Sequence, residues 1–177
     1  DRDQKSKLVA AGLDQLNRTR ELLEAAGFSR LVVTGSGTGT CELAADHPAL
    51  TEWQPGSFLF MDAVYHKVCP QYQRSLSVLT SVISRRPGKF VLDAGSKAIS
   101  QDFGKPEIKN HPGERVEYLA EEHTRVTTDG SSPALGERRE VFPSHCCATV
   151  NLHRRLIAVR DGVVEAVWPI ECSGRYD

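Results

Sequence analysis

The first clear pattern of apolar and polar positions predicts an amphipathic helix over residues 5–26. Apolar residues recur there at helical spacing, and charged residues fill the other faces. The apolar positions are Val9, Leu13, Leu16 and Leu23. Gly27 follows directly, and glycine readily takes the left-handed conformation that ends many helices. We therefore expect the helix to stop at Gly27.

Two apolar runs after this helix predict strands of an α/β unit. Arg30–Thr34 is typical of a buried strand and runs into the glycine-rich turn Gly35–Thr40. A second strand is predicted over Ser57–Asp62, ending in Ala63–Tyr65, and residues 67–74 are expected to form a loop. A helix, a strand and a glycine-rich turn in this order are typical of an α/β fold.

From residue 75 the pattern changes to short alternating segments that predict strands. The predicted strands are Ser75–Arg85, Lys89–Ala94, Glu114–Leu119, Leu156–Arg160 and Val163–Trp168. The last two flank the turn Asp161-Gly162. Many short strands separated by proline and glycine favour a β-barrel or sandwich. We therefore predict an α/β part over residues 1–74 and a β-rich domain over residues 75–177.

Composition narrows the class of protein. The chain has 177 residues, enough to bury a core, and its formal net charge of -1 gives no case for a nucleic-acid or membrane surface. With 40% hydrophobic residues and no long apolar run, no transmembrane helix is expected. The five cysteines are an odd number at irregular spacing, which favours a reducing, cytoplasmic setting.

His145 and Cys147 form the first candidate site. In an extended segment, residues two apart point to the same side, so this imidazole and thiol would reach one metal ion while Cys146 points the other way. Zinc accepts both ligand types. On spacing alone, a buried thiol and a hydrogen-bonded core histidine explain the same pattern. The metal hypothesis therefore needs support from elsewhere in the chain.

The glycine-rich turn is the second candidate site. Glycines allow close approach of a ligand, and a turn after a strand can offer backbone N–H groups to a phosphate. The turn is neither a Walker loop, because no Gly-Lys-Ser/Thr follows, nor a dinucleotide fingerprint, because Gly39 comes two rather than three residues after Gly37. An ordinary strand-to-loop turn is the alternative interpretation.

Six stretches, in order, resemble one known family. They are residues 33–40 (VTGSGTGT), 54–65 (QPGSFLFMDAVY), 92–98 (LDAGSKA), 121–123 (EEH), 143–152 (PSHCCATVNL) and 167–170 (VWPI). With these motifs the chain resembles the C-terminal half of the pyridoxal-phosphate enzymes of the alanine-racemase fold. The matching branch contains D-threonine aldolase, 3-hydroxy-D-aspartate aldolase and eukaryotic-type D-serine dehydratase. The stretches span nearly the whole chain, and six in order are more specific than any one alone.

The resemblance implies a fold and a set of site residues. The fold would be the last strands of a (β/α)8 barrel, followed by a C-terminal β-barrel or sandwich domain that binds metal. The cofactor phosphate would be held by Gly35, Ser36, Gly37 and Thr38. Tyr65 would lie near the cofactor. His145 and Cys147 would bind a divalent metal, for which the soft Cys147 favours zinc over manganese or magnesium.

The resemblance also implies an activity and partners. The complete protein would be a pyridoxal-phosphate and metal-dependent lyase acting on D-3-hydroxy-amino acids, as an aldolase or a dehydratase. The Schiff-base lysine of the family is expected upstream of this chain, in an N-terminal barrel half belonging to the same protein or a separate chain. A homodimer is expected. The alternative is a non-catalytic, metal- or ligand-binding β-domain fragment.

Other polar residues are assigned more modest roles. His123 is a further candidate near the metal, and a β-domain histidine bound to backbone is its alternative. Asp62 can orient a neighbour or end a strand, and the structural role is favoured. Asp93 and Lys97 are expected to be structural, and Cys146 to be a core residue.

Overall fold

The computed structural model of the chain describes residues 2–174 and divides into two compact units, Asp1–Leu59 and Phe60–Asp177. The first unit begins with helix α1, Arg2–Ala25. Helix α1 ends at the predicted place, because Gly27 takes a φ of 94°. The amide of Gly27 donates to the carbonyl of Glu24 and that of Phe28 to the carbonyl of Leu23, both at 3.0 Å. Leu13 of this helix packs with Ala44 and Leu50 in a small core.

The α/β part of the first unit contains short strands. Strand β1, Thr34–Gly35, pairs in parallel with β2, Glu52–Trp53, and the short helix α2, Cys41–Ala44, lies between them in the chain. Most of the predicted strand Arg30–Thr34 is therefore wrong. Arg30 has a φ of 57°, and the Val33 amide donates to the hydroxyl of Thr51 instead of entering a regular ladder.

The predicted strand over Ser57–Asp62 is also wrong. Ser57–Leu59 forms a 3-10 helix, and α3 follows at Tyr65–Val68. The carboxylate of Asp62 accepts hydrogen bonds from the amides of Val64 at 3.1 Å and Tyr65 at 2.7 Å. Side-chain bonds of this kind compete with the sheet for backbone donors and favour a helix start.

The second unit is built on a closed six-stranded barrel. Its strands are β3 Val78–Arg86, β4 Lys89–Leu92, β5 Glu107–Ile108, β6 Glu114–Leu119, β7 Thr124–Thr128 and β8 Arg138–Phe142. They pair antiparallel in the order β3-β4-β7-β6-β5-β8. The barrel confirms the predicted β-rich region and the strands that became β3, β4 and β6, and it adds three strands that alternation did not indicate.

Apolar side chains fill the barrel. Phe90, Leu92, Val126 and Val141 are each at most 1% exposed. One ion pair is buried beside them, since Arg139 donates to Glu114 at 2.8 and 2.9 Å and both side chains are less than a tenth exposed. Closure leaves the barrel without free sheet edges.

Gly95, in the loop after β4, sets a close backbone approach. A Cβ at this position would lie 2.3 Å from the carbonyl oxygen of Ala120 and 2.6 Å from the amide nitrogen of His123. The amides of Ser96 and Lys97 donate to the carbonyls of Ala120 and Glu121. Two of the six family-like stretches are therefore in direct contact.

The chain continues from the barrel into helix α4, Cys146–Asn151, and a hairpin of β9, Arg155–Arg160, and β10, Val163–Pro169. The hairpin was predicted, and Asp161 and Gly162 take the positive φ angles of 51° and 78° that a tight two-residue turn requires. Among residues 2–174, no helix combines the length and hydropathy needed to cross a membrane.

Candidate metal centre

Three potential metal ligands converge where α4 begins. The ligand atoms of His145, Cys146 and Cys147 all lie within 4.8 Å of one another, and the two sulfurs are 4.0 Å apart. His145 is extended, with φ −138° and ψ 133°, but Cys146 is already helical. The expectation that Cys146 points away from the other two is therefore wrong, because the segment turns into a helix instead of continuing as a strand.

A buried carboxylate fixes the histidine. Oδ2 of Asp62 lies 3.0 Å from Nδ1 of His145 and accepts the amide of Cys146 at 3.1 Å, while its Oδ1 accepts the two amides that start α3. Asp62 is fully buried. An ionised carboxylate only accepts hydrogen bonds, so Nδ1 carries the proton and Nε2 keeps its lone pair. This is the arrangement by which carboxylates orient metal-binding histidines.

Hydroxyl groups hold the segment around His145 in place. The hydroxyl of Thr149 donates to the carbonyl of His145 at 3.0 Å and accepts the amide of Ser100 at 3.0 Å. Ser144 donates to the carbonyl of Ser100 at 2.9 Å. The side chains of Thr149 and Ser144 are both buried, and their bonds to the backbone of Ser100 hold α4 against the loop after β4.

Two aromatic rings flank the imidazole of His145. The Phe103 ring packs edge-on with its centroid 4.6 Å away, and the Tyr65 ring lies at 5.9 Å. Burial raises the pKa of the Tyr65 hydroxyl above its usual 10, and the charges of Asp62 and Cys147 raise it further. Tyr65 is therefore protonated at neutral pH and can donate a hydrogen bond beside the cluster.

The donor set fits a soft divalent metal. Imidazole nitrogen and cysteine sulfur are ligands that zinc prefers, and the oriented Nε2 of His145 is available to it. Cys147 is exposed and Cys146 is buried, so the cluster spans from the interior to the surface. The structure thus brings together the two sequence-predicted ligands, His145 and Cys147, and adds Cys146 and the orienting Asp62.

The glycine-rich turn belongs to the first unit. Ser36 has a φ of 60°, and a Cβ built on Gly37 would meet none of the described atoms within 4 Å. The buried hydroxyl of Thr38 accepts the amide of Phe58 at 3.0 Å, and the carbonyl of Gly37 accepts the amides of Thr40 and Cys41. The turn is therefore tightly held, and open space at Gly37 suits the close approach of a ligand to the backbone.

Two other predicted residues lie outside the metal cluster. His123 is exposed just before β7 and is not among the three clustered ligands. Lys97 forms ion pairs with Glu121 and Glu122, and its side-chain hydrogen bonds, first to Glu122, raise its pKa. Asp93 accepts the amide of Ser81 at 2.8 Å. The structural roles expected for Asp93 and Lys97 agree with these contacts.

Asp62 has a larger role in the structure than the sequence indicated. An aspartate before a helical turn is a recognisable capping signal, which was available in the residues 62–65. The bond from Asp62 to His145 joins residues 83 positions apart, and no local pattern reports it.

The fold and the donor set define a closed β-barrel domain with a candidate metal centre, and known proteins share this arrangement of the chain. The family model described as "Putative serine dehydratase domain" matches residues 75–159. D-threonine aldolase of Arthrobacter sp. is 38% identical over 161 residues, which cover 87% of this chain and 42% of that protein. The 3-hydroxy-D-aspartate aldolase of Paracoccus denitrificans is 33% identical, and the match covers 98% of this chain and 47% of that protein.

Solved structures give the same result. The crystal structure of D-threonine aldolase from Filomicrobium marinum superposes with a TM-score of 0.92 at 34% identity, covering 97% of this chain and 48% of that one. A cysteine-to-alanine mutant of D-threo-3-hydroxyaspartate dehydratase in the metal-free form has a TM-score of 0.83 at 27% identity, covering 96% and 52%.

The chain belongs to the family of D-threonine aldolases and 3-hydroxy-D-aspartate aldolases and dehydratases. It spans about half the length of the relatives it matches and corresponds to their C-terminal part. The fold class expected from the sequence, an α/β segment followed by a β-barrel of the alanine-racemase-like enzymes, is confirmed.

Proposed function

We propose that this chain is the C-terminal, metal-binding part of a pyridoxal-phosphate and divalent-metal-dependent lyase that acts on D-3-hydroxy-amino acids. The observation that carries the proposal is the buried Asp62 holding Nδ1 of His145, which leaves Nε2 and the thiol of Cys147 to bind one metal. Two relatives over nearly the same stretch of chain are named as aldolases of D-hydroxy-amino acids.

His145 and Cys147 are the proposed metal ligands. The metal would supply Lewis-acid polarisation of the substrate's 3-hydroxyl, and pyridoxal phosphate would supply an electron sink at the substrate's α-carbon. The thiol of Cys147 favours zinc, with manganese or magnesium as harder alternatives. One of the related dehydratase structures is described as a metal-free form, which supports a metal in this family.

Asp62 and Tyr65 act through position and protonation. Asp62 fixes the orientation of the His145 ring through its contact with Nδ1, as carboxylates do for metal-binding histidines. Tyr65 keeps its hydroxyl proton at neutral pH, so it is suited to donate a hydrogen bond to an anionic group of cofactor or substrate. Its ring lies beside the imidazole of His145, with the two centroids 5.9 Å apart.

Gly35, Ser36, Gly37 and Thr38 are proposed to bind the cofactor phosphate. The left-handed backbone at Ser36 and the open space at Gly37 support this role, since both let backbone amides approach an anion. His123 is retained as a candidate catalytic residue of the complete protein. Its exposure outside the cluster fits a role that depends on another part of the enzyme.

Within the family, we propose that the complete protein is an aldolase. The D-threonine aldolases are 38% and 34% identical to this chain, against 32% and 27% for the D-threo-3-hydroxyaspartate dehydratases. Cleavage of the Cα–Cβ bond would yield glycine and an aldehyde, whereas dehydration would yield a keto acid and ammonia.

The proposed partners are the N-terminal barrel half and a second copy of the enzyme. The β9–β10 hairpin favours a partner that packs on it, because one of its faces is apolar and exposed. Each residue of that face is at least half exposed: Ile157, Val159, Val164 and Val167. A cytoplasmic location is proposed from the odd number of irregularly spaced cysteines.

The test is an assay of the complete enzyme on D-threonine, D-3-hydroxyaspartate and D-serine, scoring glycine, aldehyde, keto acid and ammonia. We expect activity to depend on added divalent metal and to be lost in His145→Ala and Cys147→Ala. The matched control is His111→Ala, a half-buried histidine in the loop between β5 and β6, which should retain activity. Full activity of His145→Ala without metal would refute the metal role.

The second candidate is a non-catalytic metal-binding β-domain, because the three clustered ligand atoms all belong to this chain. A complete protein that binds zinc through His145 and Cys147 but never gains the absorbance of bound pyridoxal phosphate would establish this candidate over the lyase.

A further inference from the structure

We propose that Cys146 is a third protein ligand of the metal, so that one imidazole nitrogen and two sulfurs hold a zinc ion and a fourth position stays open. The inference rests on the proposed function, which assigns the metal to His145 and Cys147. A third ligand raises the number of protein ligands from two to three and strengthens the preference of the centre for zinc.

The spacing of the two sulfurs matches a tetrahedral site. With zinc–sulfur bonds of about 2.3 Å, two thiolate ligands of one zinc lie about 3.8 Å apart. The sulfurs of Cys146 and Cys147 are 4.0 Å apart, and His145 offers a ring nitrogen within 4.8 Å of both. Small side-chain rotations therefore bring all three donors to one ion.

Cys146 is the better fixed of the two cysteines. Its amide donates to Oδ2 of Asp62, the same oxygen that accepts the Nδ1 proton of His145. Its side chain is 1% exposed, whereas Cys147 is exposed. One buried oxygen thus holds two of the three ligand residues in place before a metal arrives, which reduces the ordering cost of binding.

The difference in burial between Cys146 and Cys147 also sets the direction of the open coordination position. A metal held between the buried sulfur of Cys146 and the exposed sulfur of Cys147 has its protein ligands on the interior and lateral sides. The remaining coordination position faces outward, as a catalytic site with three protein ligands requires.

Two thiolates change the chemistry of the ion. Binding releases the two thiol protons to solvent, and the two negative sulfurs offset the charge of a divalent cation. The set of two sulfurs and one nitrogen selects zinc and disfavours manganese and magnesium, which prefer oxygen ligands. We therefore expect this enzyme to hold zinc in the presence of a large excess of manganese.

The experiment is zinc K-edge X-ray absorption on the full chain loaded with zinc alone. We expect two sulfur scatterers per zinc at about 2.3 Å in the wild type, one in Cys146→Ser, one in Cys147→Ser and none in the double variant. Zinc affinity, measured by competition with a chromophoric chelator, should fall about tenfold or more in Cys146→Ser. Cys172→Ser, an exposed cysteine outside the cluster, should keep two sulfurs and full affinity.

The wild-type spectrum alone can overturn the inference, because it needs no variant that must fold. One sulfur per zinc in the wild type, unchanged in Cys146→Ser, would refute the role of Cys146. In that case loss of zinc in His145→Ala and Cys147→Ser would leave the proposed function standing. A wild-type chain that binds no zinc would refute the inference, and one that binds no divalent metal at all would refute the proposed metal role as well. Circular dichroism of Cys146→Ser and Cys146→Ala separates lost ligation from lost folding.

Discussion

Strand β4 of the barrel and strand β9 of the hairpin carry comparable apolar residues and differ in what covers them. Phe90 and Leu92 of β4 are at most 1% exposed, whereas Ile157 and Val159 of β9 are 64% and 58% exposed. Both strands are antiparallel and both alternate. The barrel closes on itself and gives its apolar positions an interior, and the two-stranded hairpin has none of its own.

The register of the hairpin shows what the difference means. Val167 pairs with Ile157 and Val164 with Val159, so four apolar side chains form one exposed face, which we call the hairpin face. On the opposite side Leu156 and Ala158 are half-buried, whereas Trp168, which pairs with Leu156, is 55% exposed. Isolated two-stranded sheets are at best marginally stable in water. Burial in the barrel therefore stabilises this chain, whereas the hairpin face is available to stabilise an assembly.

The largest contrast is expected between two arginines. Arg139→Met in the barrel leaves Glu114 buried without its partner and should cost about 3–5 kcal/mol of unfolding free energy. Arg160→Met removes an exposed hairpin pair with Glu165 and should cost about 0–1 kcal/mol. Urea unfolding of the full chain, followed by circular dichroism, measures both. Equal losses would contradict the assignment of stability to the barrel.

A smaller contrast is expected between two valines. Val126→Ala creates a cavity at a fully buried barrel position and should cost about 2 kcal/mol. Val159→Ala on the hairpin face should change the unfolding free energy of this chain by less than about 0.5 kcal/mol. Under the proposal of a partner on the hairpin face, the same Val159→Ala change should weaken association in the complete protein, measured by sedimentation. No effect there would argue against a partner on the hairpin face.

The smallest effect concerns pH and Glu140 of the barrel. Burial alone would raise the pKa of this carboxyl, but hydrogen bonds from Lys109 and Ser77 offset it, and the pKa is lowered from its usual 4.5. A lowered folded-state pKa stabilises the protein above pH 4.5, and that stability is lost as pH falls through the folded value.

Glu140→Gln should therefore be less stable than wild type at pH 7, by about 0.2–1 kcal/mol. The difference should shrink at about pH 3, where the carboxyl becomes protonated in both the folded and the unfolded chain. Thermal unfolding at the two pH values checks this. A difference that grows on acidification would contradict the sign of the shift.

Local pattern predicted much of the barrel for a physical reason. In β4, alternating side chains face interior and solvent, and the sequence records this directly. In β6 a register shift between Val116 and Tyr118 places the buried Val116 and Leu119 three residues apart. In β8 the interior position Arg139 is charged, so the alternation of Arg138–Phe142 is hidden although the strand is there. Its charge is matched by Glu114, which lies on another strand, and no local window contains both residues.

The site was predicted in part for the same reason. His145 and Cys147 were found because they are two residues apart. The geometry between them was missed because a helix begins at Cys146, and its amide is held by Asp62 from a distant part of the chain. The apolar run Phe58–Met61 favours a strand only while the effect of that aspartate is ignored. Asp62 draws the next amides into a helical turn.

The contact at Gly95 has a consequence for exchange kinetics. Loop amides normally exchange their hydrogens with solvent quickly, because local opening costs little free energy. The amides of Ser96 and Lys97 lie in a loop, yet they donate to Ala120 and Glu121 at 2.8 and 2.9 Å across the close approach that Gly95 permits. Deuterium should therefore enter these two positions only as slowly as it enters the barrel strands. We therefore expect this loop to open only when the barrel opens, because Gly95 has no Cβ and lets the two segments form these hydrogen bonds.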